Sequence, residues 1–288
     1  MITVVGGTGR LGRHVAAALL TQGRPVRVVS RHATLSTDAA HPADPGLAGA
    51  EFVTADVAVP DQARVAVAGS TTIVAAMTGM DPRRGAGPQA VDRDAAIVLI
   101  DAAAQTRCHL VLISVVGADA DSRVELFQMK AAAEAHLRSS DLPWTIVRAT
   151  AFTELWTDVI TASTGRDGRA RLLGPARNPL NFVPVADVAE AVVRVIDAAP
   201  DTALGTALVG QVIEVCGMEN SSLTDFAARL TGRPPRHLPT ALVRALGWAA
   251  QPIAPGLARI ARQAIAIEHL DLTRDERPHH LPRASDRD

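Results

Sequence analysis

The segment Gly6-Gly7-Thr8-Gly9-Arg10-Leu11-Gly12 follows directly on the β-branched run Ile2–Val5 and opens a stretch of helical pattern over residues 10–22. No other feature narrows the fold as much. The glycines satisfy the spacing Gly7-x-Gly9-x-x-Gly12 and equally the wider Gly6-x-x-Gly9-x-x-Gly12. Either lets the backbone turn tightly, approach a pyrophosphate and lay the helix against the strand, with helix amides and the positive end of the helix dipole facing the anion. Glycines alone also make plain turns; a strand before and an amphipathic helix after them are what mark a dinucleotide loop. Gly6, Gly7, Thr8, Gly9, Arg10, Leu11 and Gly12 are therefore the expected phosphate contacts.

The rest of the chain repeats the rhythm this loop begins. Short apolar runs at Ile2–Val5, Val26–Ser30, Glu51–Thr54, 72–76, 110–114 and 145–148 alternate with alanine-rich helical stretches at 10–22, 60–68, 88–104, 125–139 and 185–198. Strands apolar on both faces and joined through helices make a doubly wound parallel Rossmann sheet of the α/β class. Residues 1–150, completed by 181–200, are read as the NAD(P)-binding domain. Residues 151–180 and 201–274 form a smaller, mixed, mostly helical substrate-side region, and 275–288 a flexible tail. Within that region a helix is expected at 152–162, a Gly-, Arg- and Pro-rich loop at 165–179, a strand at 212–216, and helices at 223–230, 240–250 and 256–269.

Composition removes several function classes. With 48% hydrophobic and 20% charged residues the chain reads as a soluble globular protein. The apolar stretch 241–254 is broken by Arg244, Gly247 and Pro252, short of the roughly 20 residues of a membrane span. A formal net charge of −1, with scattered arginines, gives no basic surface for nucleic acid. The chain opens directly on a strand-like run, so no leader is expected. Cys108 and Cys216 lie too far apart for a metal or redox motif, which implies reduced thiols and a cytoplasmic protein. His279 and His280 lack partner ligands, so no metal is expected.

The choice of dinucleotide turns on the end of the second strand, where an NAD site places an acid about 20 residues beyond the loop to bind the ribose hydroxyls. Here no acidic residue precedes Asp38, while Arg10, Arg13, Arg24, Arg27 and Arg31 are all present. A guanidinium can bind an extra 2′-phosphate bidentately. NADP(H) is thus the preferred cofactor, with Arg31 as first choice for its phosphate and Arg10 as second; NAD(H) stays open. Asp56 and Val57, just past the third strand, are placed to meet adenine, although Asp56 serves equally well as a cap for the helix that follows.

Of the 29 basic residues every one but Lys130 is arginine, and tyrosine is absent. A single lysine among arginines points to a task suited to a compact ammonium, such as donating to both hydroxyls of a ribose. It lies on the helix after the strand that ends at Ser114, at the ligand-binding edge of such a sheet. Lys130 and Ser114 are the candidate catalytic residues.

With the glycine loop, the segments Ser114-Val115-Val116-Gly117-Ala118, Lys130-Ala-Ala-Ala-Glu134, Asp141-Leu142-Pro143-Trp144-Thr145-Ile146-Val147-Arg148 and Phe182-Val183-Pro184-Val185-Ala186-Asp187-Val188-Ala189 resemble, in order, the NmrA-like atypical short-chain dehydrogenases. The resemblance covers Met1 to about Leu230. It implies that Lys130 contacts the nicotinamide ribose, that Ala76, Met77 and Thr78 line the cofactor, and that the stretch from Arg148 through Ala149 to Phe152 passes near the nicotinamide. Asp187 is read as a helix cap. One departure governs mechanism: typical short-chain reductases carry a tyrosine four residues before the lysine as proton donor, and position 126 here is leucine.

Two functions remain. The first is an NADP(H)-dependent oxidoreductase that reduces a small apolar carbonyl, quinone or conjugated alkene, with the proton drawn from water, Lys130 or Ser114. The second is a redox-sensing NADP(H)-binding regulator with little or no turnover, acting on a partner protein through residues 164–181. The absent tyrosine disfavours a nucleotide-sugar epimerase. A homo-oligomer is compatible with either function.

Overall fold

The computed structural model describes residues 1–31, 45–80, 86–106, 108–198, 208–242, 245, 265–268 and 270–274. In chain order the strands are β1 (Ile2–Val5), β2 (Val26–Ser30), β3 (Glu51–Thr54), β4 (Thr72–Ala75), β5 (His109–Val115), β6 (Trp144–Ala149), β7 (Ala151–Phe152), β8 (Arg171–Leu173), β9 (Pro179–Val183), β10 (Gln211–Val215), β11 (Glu219–Ser222) and β12 (Arg236–Leu238). The helices are α1 (Arg10–Thr21), α2 (Pro60–Val67), α3 (Ala96–Ala104), α4 (Glu125–Arg138), α5 (Thr153–Ser163), α6 (Val185–Asp197) and α7 (Leu223–Thr231).

The main sheet has seven strands in the order β10-β6-β5-β4-β1-β2-β3. Every neighbouring pair in it is parallel. The order reverses between β1 and β4, which makes this a Rossmann fold whose ligand crevice opens at the carboxyl ends of those strands. Side chains alternate across the sheet as the strand period requires. Val4, Val28, Val74, Val111 and Val147 face α1 and α6, where Val15, Leu19, Val188 and Val192 meet them. Val5, Val29, Ile73, Leu110, Leu112 and Ile146 face the other way, against α2, α3 and α4 through Ala66, Leu99, Ile100 and Leu137.

Strand β10 corrects the expected division of the chain. The strand expected at 212–216 on the substrate side is instead β10, the outer strand of the main sheet, with Val212 opposite Ile146 and Ile213 opposite Val147. Its apolar residues match the exposed edge of β6, so the chain leaves the sheet after β6 and returns to finish it. The substrate side itself rests on two small sheets, β11-β9-β7 and β12-β8. The expected loop 165–179 thus carries β8 and the first residue of β9. The helices expected at 240–250 and 256–269 fall largely, and the tail 275–288 wholly, outside the described residues. No helix among the described residues is long and apolar enough to cross a membrane.

Candidate cofactor and active site

Gly6 leaves β1 with φ +78°, a left-handed conformation that glycine adopts without strain. Its amide donates to Val29 O at 2.9 Å, and the Gly9 amide returns to Gly6 O at 2.8 Å, which closes the turn. Close packing fixes the other glycines. A Cβ on Gly7 would stand 2.9 Å from a Val28 methyl, and one on Gly12 would lie 2.8 Å from Gly7 Cα and closer still to Gly6 O. Gly9 is the N-cap of α1, without a side-chain cap and without an acid in the first turn. The helix therefore presents uncapped amides and a positive dipole end, the donor set a diphosphate requires.

On the adenosine side Thr8 Oγ1 donates to Ser30 Oγ at 3.0 Å, which ties the loop to the end of β2. Arg31 follows that strand and is exposed; no carboxylate among the described residues pairs with it. Arg10 is placed differently, with Nη2 on Asp158 of α5 at 2.5 Å and both side chains largely in solvent. Asp56 acts as a local cap, accepting from the Ala58 amide at 3.0 Å while its own amide donates to Gln62. The Val57 side chain is buried in the core beneath it.

Lys130 is 6% exposed. Its ammonium donates to Ile113 O at 2.9 Å and Met77 O at 3.3 Å. Asp92 Oδ1 lies 3.0 Å from Nζ, an ion pair. The alignment falls short of a hydrogen bond, and Asp92 Oδ1, wholly buried, receives none. Asp92 Oδ2 accepts from the Gly79 amide at 2.8 Å, so the same carboxylate steadies the turn that follows β4. Asp92 sits on a π-helical stretch, Gln89–Ala95, that leads into α3. Such stretches are rare and recur at functional sites.

Ser114 does not meet the expectation of a proton donor. Its Oγ donates to Glu134 Oε1 at 2.5 Å, so its one proton lies on a buried carboxylate. Glu134 also receives Arg148 through Nε at 2.9 Å and Nη2 at 2.6 Å. Arg138 adds a contact at 2.8 Å. Burial pushes the Glu134 pKa up, but the hydrogen bonds from Arg148 and Ser114, the Arg148 charge and Arg138 outweigh it and hold the carboxyl below its ordinary range. The Arg148 guanidinium is correspondingly held above its ordinary range by Glu134.

Of the remaining candidates, Ala76 donates its amide to Val5 O at 2.9 Å and so places Met77 and Thr78 at the carboxyl end of β4, across from Gly6. Ala149 ends β6 with its side chain in the core, and Phe152 packs partly against the same cluster before α5. Asp187 does not cap α6 with its side chain; Glu154 of α5 takes that role, receiving the Val185 amide on both oxygens at 3.1 and 3.0 Å. Asp92 and Glu134, which hold Lys130 and Ser114, are the site partners that sequence reasoning missed. Glu134 had a signal, a charge one helical turn after Lys130 in a run of alanines. Cys108 and Cys216 are free thiols. No group of three or more His, Cys, Asp or Glu among the described residues could hold a metal.

A family model described as NAD(P)H-binding matches residues 6–199, and the chain belongs to that family. Among curated proteins it is 28% identical over 152 residues to the photosystem II assembly factor Ycf39 of Trieres chinensis, covering 52% of this chain and 46% of the relative. The same factor from Cyanophora paradoxa matches at 28% over 152 residues, 52% of this chain and 45% of the relative. The match therefore spans a little under half the length of either relative. Among solved structures, a nucleoside-diphosphate-sugar epimerase from Staphylococcus aureus superposes with TM-score 0.74 at 16% identity, covering 97% of both chains. An NADPH-dependent quinone oxidoreductase from Escherichia coli gives 0.68 at 20% identity, over 96% of this chain and 91% of that one. UDP-glucose 4-epimerase of Thermus thermophilus, in complex with NAD, gives 0.60 at 19%, over 83% and 85%. At these identities the likeness is one of fold.

Proposed function

We propose that the protein is an NADPH-dependent oxidoreductase that passes hydride to a small apolar acceptor, a carbonyl, a conjugated alkene or, best of these, a quinone. The observation that carries the proposal is a tight glycine turn with an uncapped helix amino terminus, beside which the expected acids are already engaged. Ser114 gives its proton to Glu134, Lys130 is held by two carbonyls and Asp92, and the chain has no tyrosine.

When bound, a dihydronicotinamide would supply the hydride. The uncapped amides of α1 hold the diphosphate, Arg31 takes the 2′-phosphate, Asp56 and Val57 border the adenine, and Ala149 and Phe152 flank the nicotinamide. Lys130, held by Ile113 O, Met77 O and Asp92, would reach a ribose hydroxyl by exchanging one of these contacts. The product oxygen takes its proton from water. This suits a quinone, because hydroquinone oxygens are acidic enough to need little help from a general acid.

NADPH oxidation across a panel of quinones, enones and ketones tests the reading. Steady consumption with quinones and little with simple ketones is expected, lost in the double variant Lys130→Met/Asp92→Asn. Wild-type rates no higher than those of the double variant would rule the reductase out. The engagement of both Ser114 and Lys130 also favours a second reading, a redox-sensing regulator. That reading predicts tight NADPH binding without turnover, and a protein partner captured in only one cofactor redox state.

A further inference from the structure

Residues 270–274, the last described, are fastened across the substrate side by a set of polar contacts. Asn178 Nδ2 donates to Ile267 O at 2.8 Å and Leu270 O at 2.7 Å. The Asn181 amide donates to Leu272 O at 3.1 Å, and Leu180 and Leu272 form a parallel bridge. Asn220 exchanges hydrogen bonds with the Arg274 backbone at 2.7 and 3.1 Å. Arg274 Nε reaches Glu214 of β10 at 3.0 Å. Asn181 is itself buried and fully used, with Oδ1 accepting from Thr150 and Gly217 and Nδ2 donating to Gly217 O and Asn220 Oδ1.

This scaffold holds one apolar side chain in a defined place. Leu272 is half-buried, and its Cδ2 lies where a Cβ on Gly117 would meet it at 3.3 Å. Gly117 has φ +86° and follows β5 three residues beyond Ser114, at the edge of the sheet where ligands bind. A side chain there would also press on the Phe127 ring at 3.2 Å, so the seat of Leu272 exists because Gly117 has none. The neighbouring cations carry carboxylate partners, Arg148 with Glu134 and Arg274 with Glu214.

We infer that Leu272 is the specificity-determining wall of the acceptor site, and that the ligand it takes is an uncharged, flat apolar ring. The inference rests on the reductase reading for the identity of the site and adds the residue that sets its width and polarity. A leucine held by backbone and asparagine contacts presents a rigid apolar surface at little entropic cost. Paired guanidinium groups offer no free charge to an anionic acceptor.

The test is equilibrium binding, independent of turnover. Calorimetry on the full chain loaded with NADP⁺ would compare an unsubstituted naphthoquinone, an alkyl-substituted one and a naphthoquinone sulfonate. Wild-type protein is expected to bind the first most tightly and the sulfonate least. Leu272→Ala should weaken the unsubstituted ring about tenfold and narrow the gap to the bulkier one, and Leu272→Trp should exclude both. Asn178→Ala, which frees the backbone that carries Leu272, should reproduce the alanine effect. NADP⁺ affinity should stay unchanged throughout. Ring affinities unmoved in both Leu272 variants, a sulfonate preferred by the wild type, or no ring bound by a wild type that binds NADP⁺ would each overturn the inference. Graded ring binding without NADPH turnover would instead overturn the reductase and leave the wall standing.

Discussion

Glu134 is wholly buried and receives Ser114, Arg138 and Arg148 at once. Breaking such a pair by removing one partner typically costs about 3–5 kcal/mol. Glu134→Gln should fall at the lower end, about 3 kcal/mol, because Arg138 and Arg148 keep some contact with water; urea unfolding at neutral pH measures it. The sign with pH follows from a folded pKa that is depressed. The ionised carboxyl contributes its full stability above the unfolded value of about 4.3 and loses it as pH falls through the lower folded value. The variant should therefore lose less stability than the wild type between pH 5 and pH 3, a window of about two units around that carboxylate range. Lys130 gives a second contrast. Lys130→Met leaves Asp92 buried and unpaired, and should cost about 3–5 kcal/mol. Adding Asp92→Asn should restore most of that stability but none of the activity. Lys130 was legible because it is the only lysine. Asp92 was not, since an acid among many has no signature until a π-helical stretch carries it to the ammonium.

The element that holds the cofactor cradle is α1, and its legibility was nearly complete: strand, glycine turn and helix lie where the sequence places them. The glycines serve backbone packing as much as ligand approach, and that determines how they fail. Gly12→Ala would put a methyl group against Gly6 O and Gly7 Cα, pushing α1 off the turn. An overpacking cost of about 1–3 kcal/mol is expected. The larger effect should be on NADPH binding, about tenfold or more by fluorescence titration, if the displaced amides hold the diphosphate as proposed. Binding unchanged in a destabilised Gly12→Ala would mean that the cofactor is held elsewhere. Strand β10 was legible as a strand and not as a member of its sheet. A short apolar run carries its period but not its partner, and only the register with β6 decides the partner.

At the scale of the molecule, cofactor choice is a property of the field around the carboxyl end of β2. NADPH at a hundred times its Kd should stabilise the fold by about 2.7 kcal/mol, seen as a rise of several degrees in Tm, and NADH at equal concentration by less. Arg31→Ala should bring the two shifts together. Equal shifts in the wild type would remove Arg31 as the discriminator. The class of fold and the glycine turn could be read from the sequence because both rest on local pattern. The commitment of Ser114 and Lys130 could not, because it depends on groups from β4, β5, β6 and the stretch before α3. The return of the chain to β10 has a consequence for how such a protein is made and how it evolves. The main sheet cannot be finished until β7, β8 and β9 of the substrate side have been synthesised, so a ribosome paused before Gln211 would hold β6 as an open edge, ready to pair with a neighbouring chain. The two halves are interleaved rather than tandem. Recombination that exchanged one as a cassette would tear the sheet of the other.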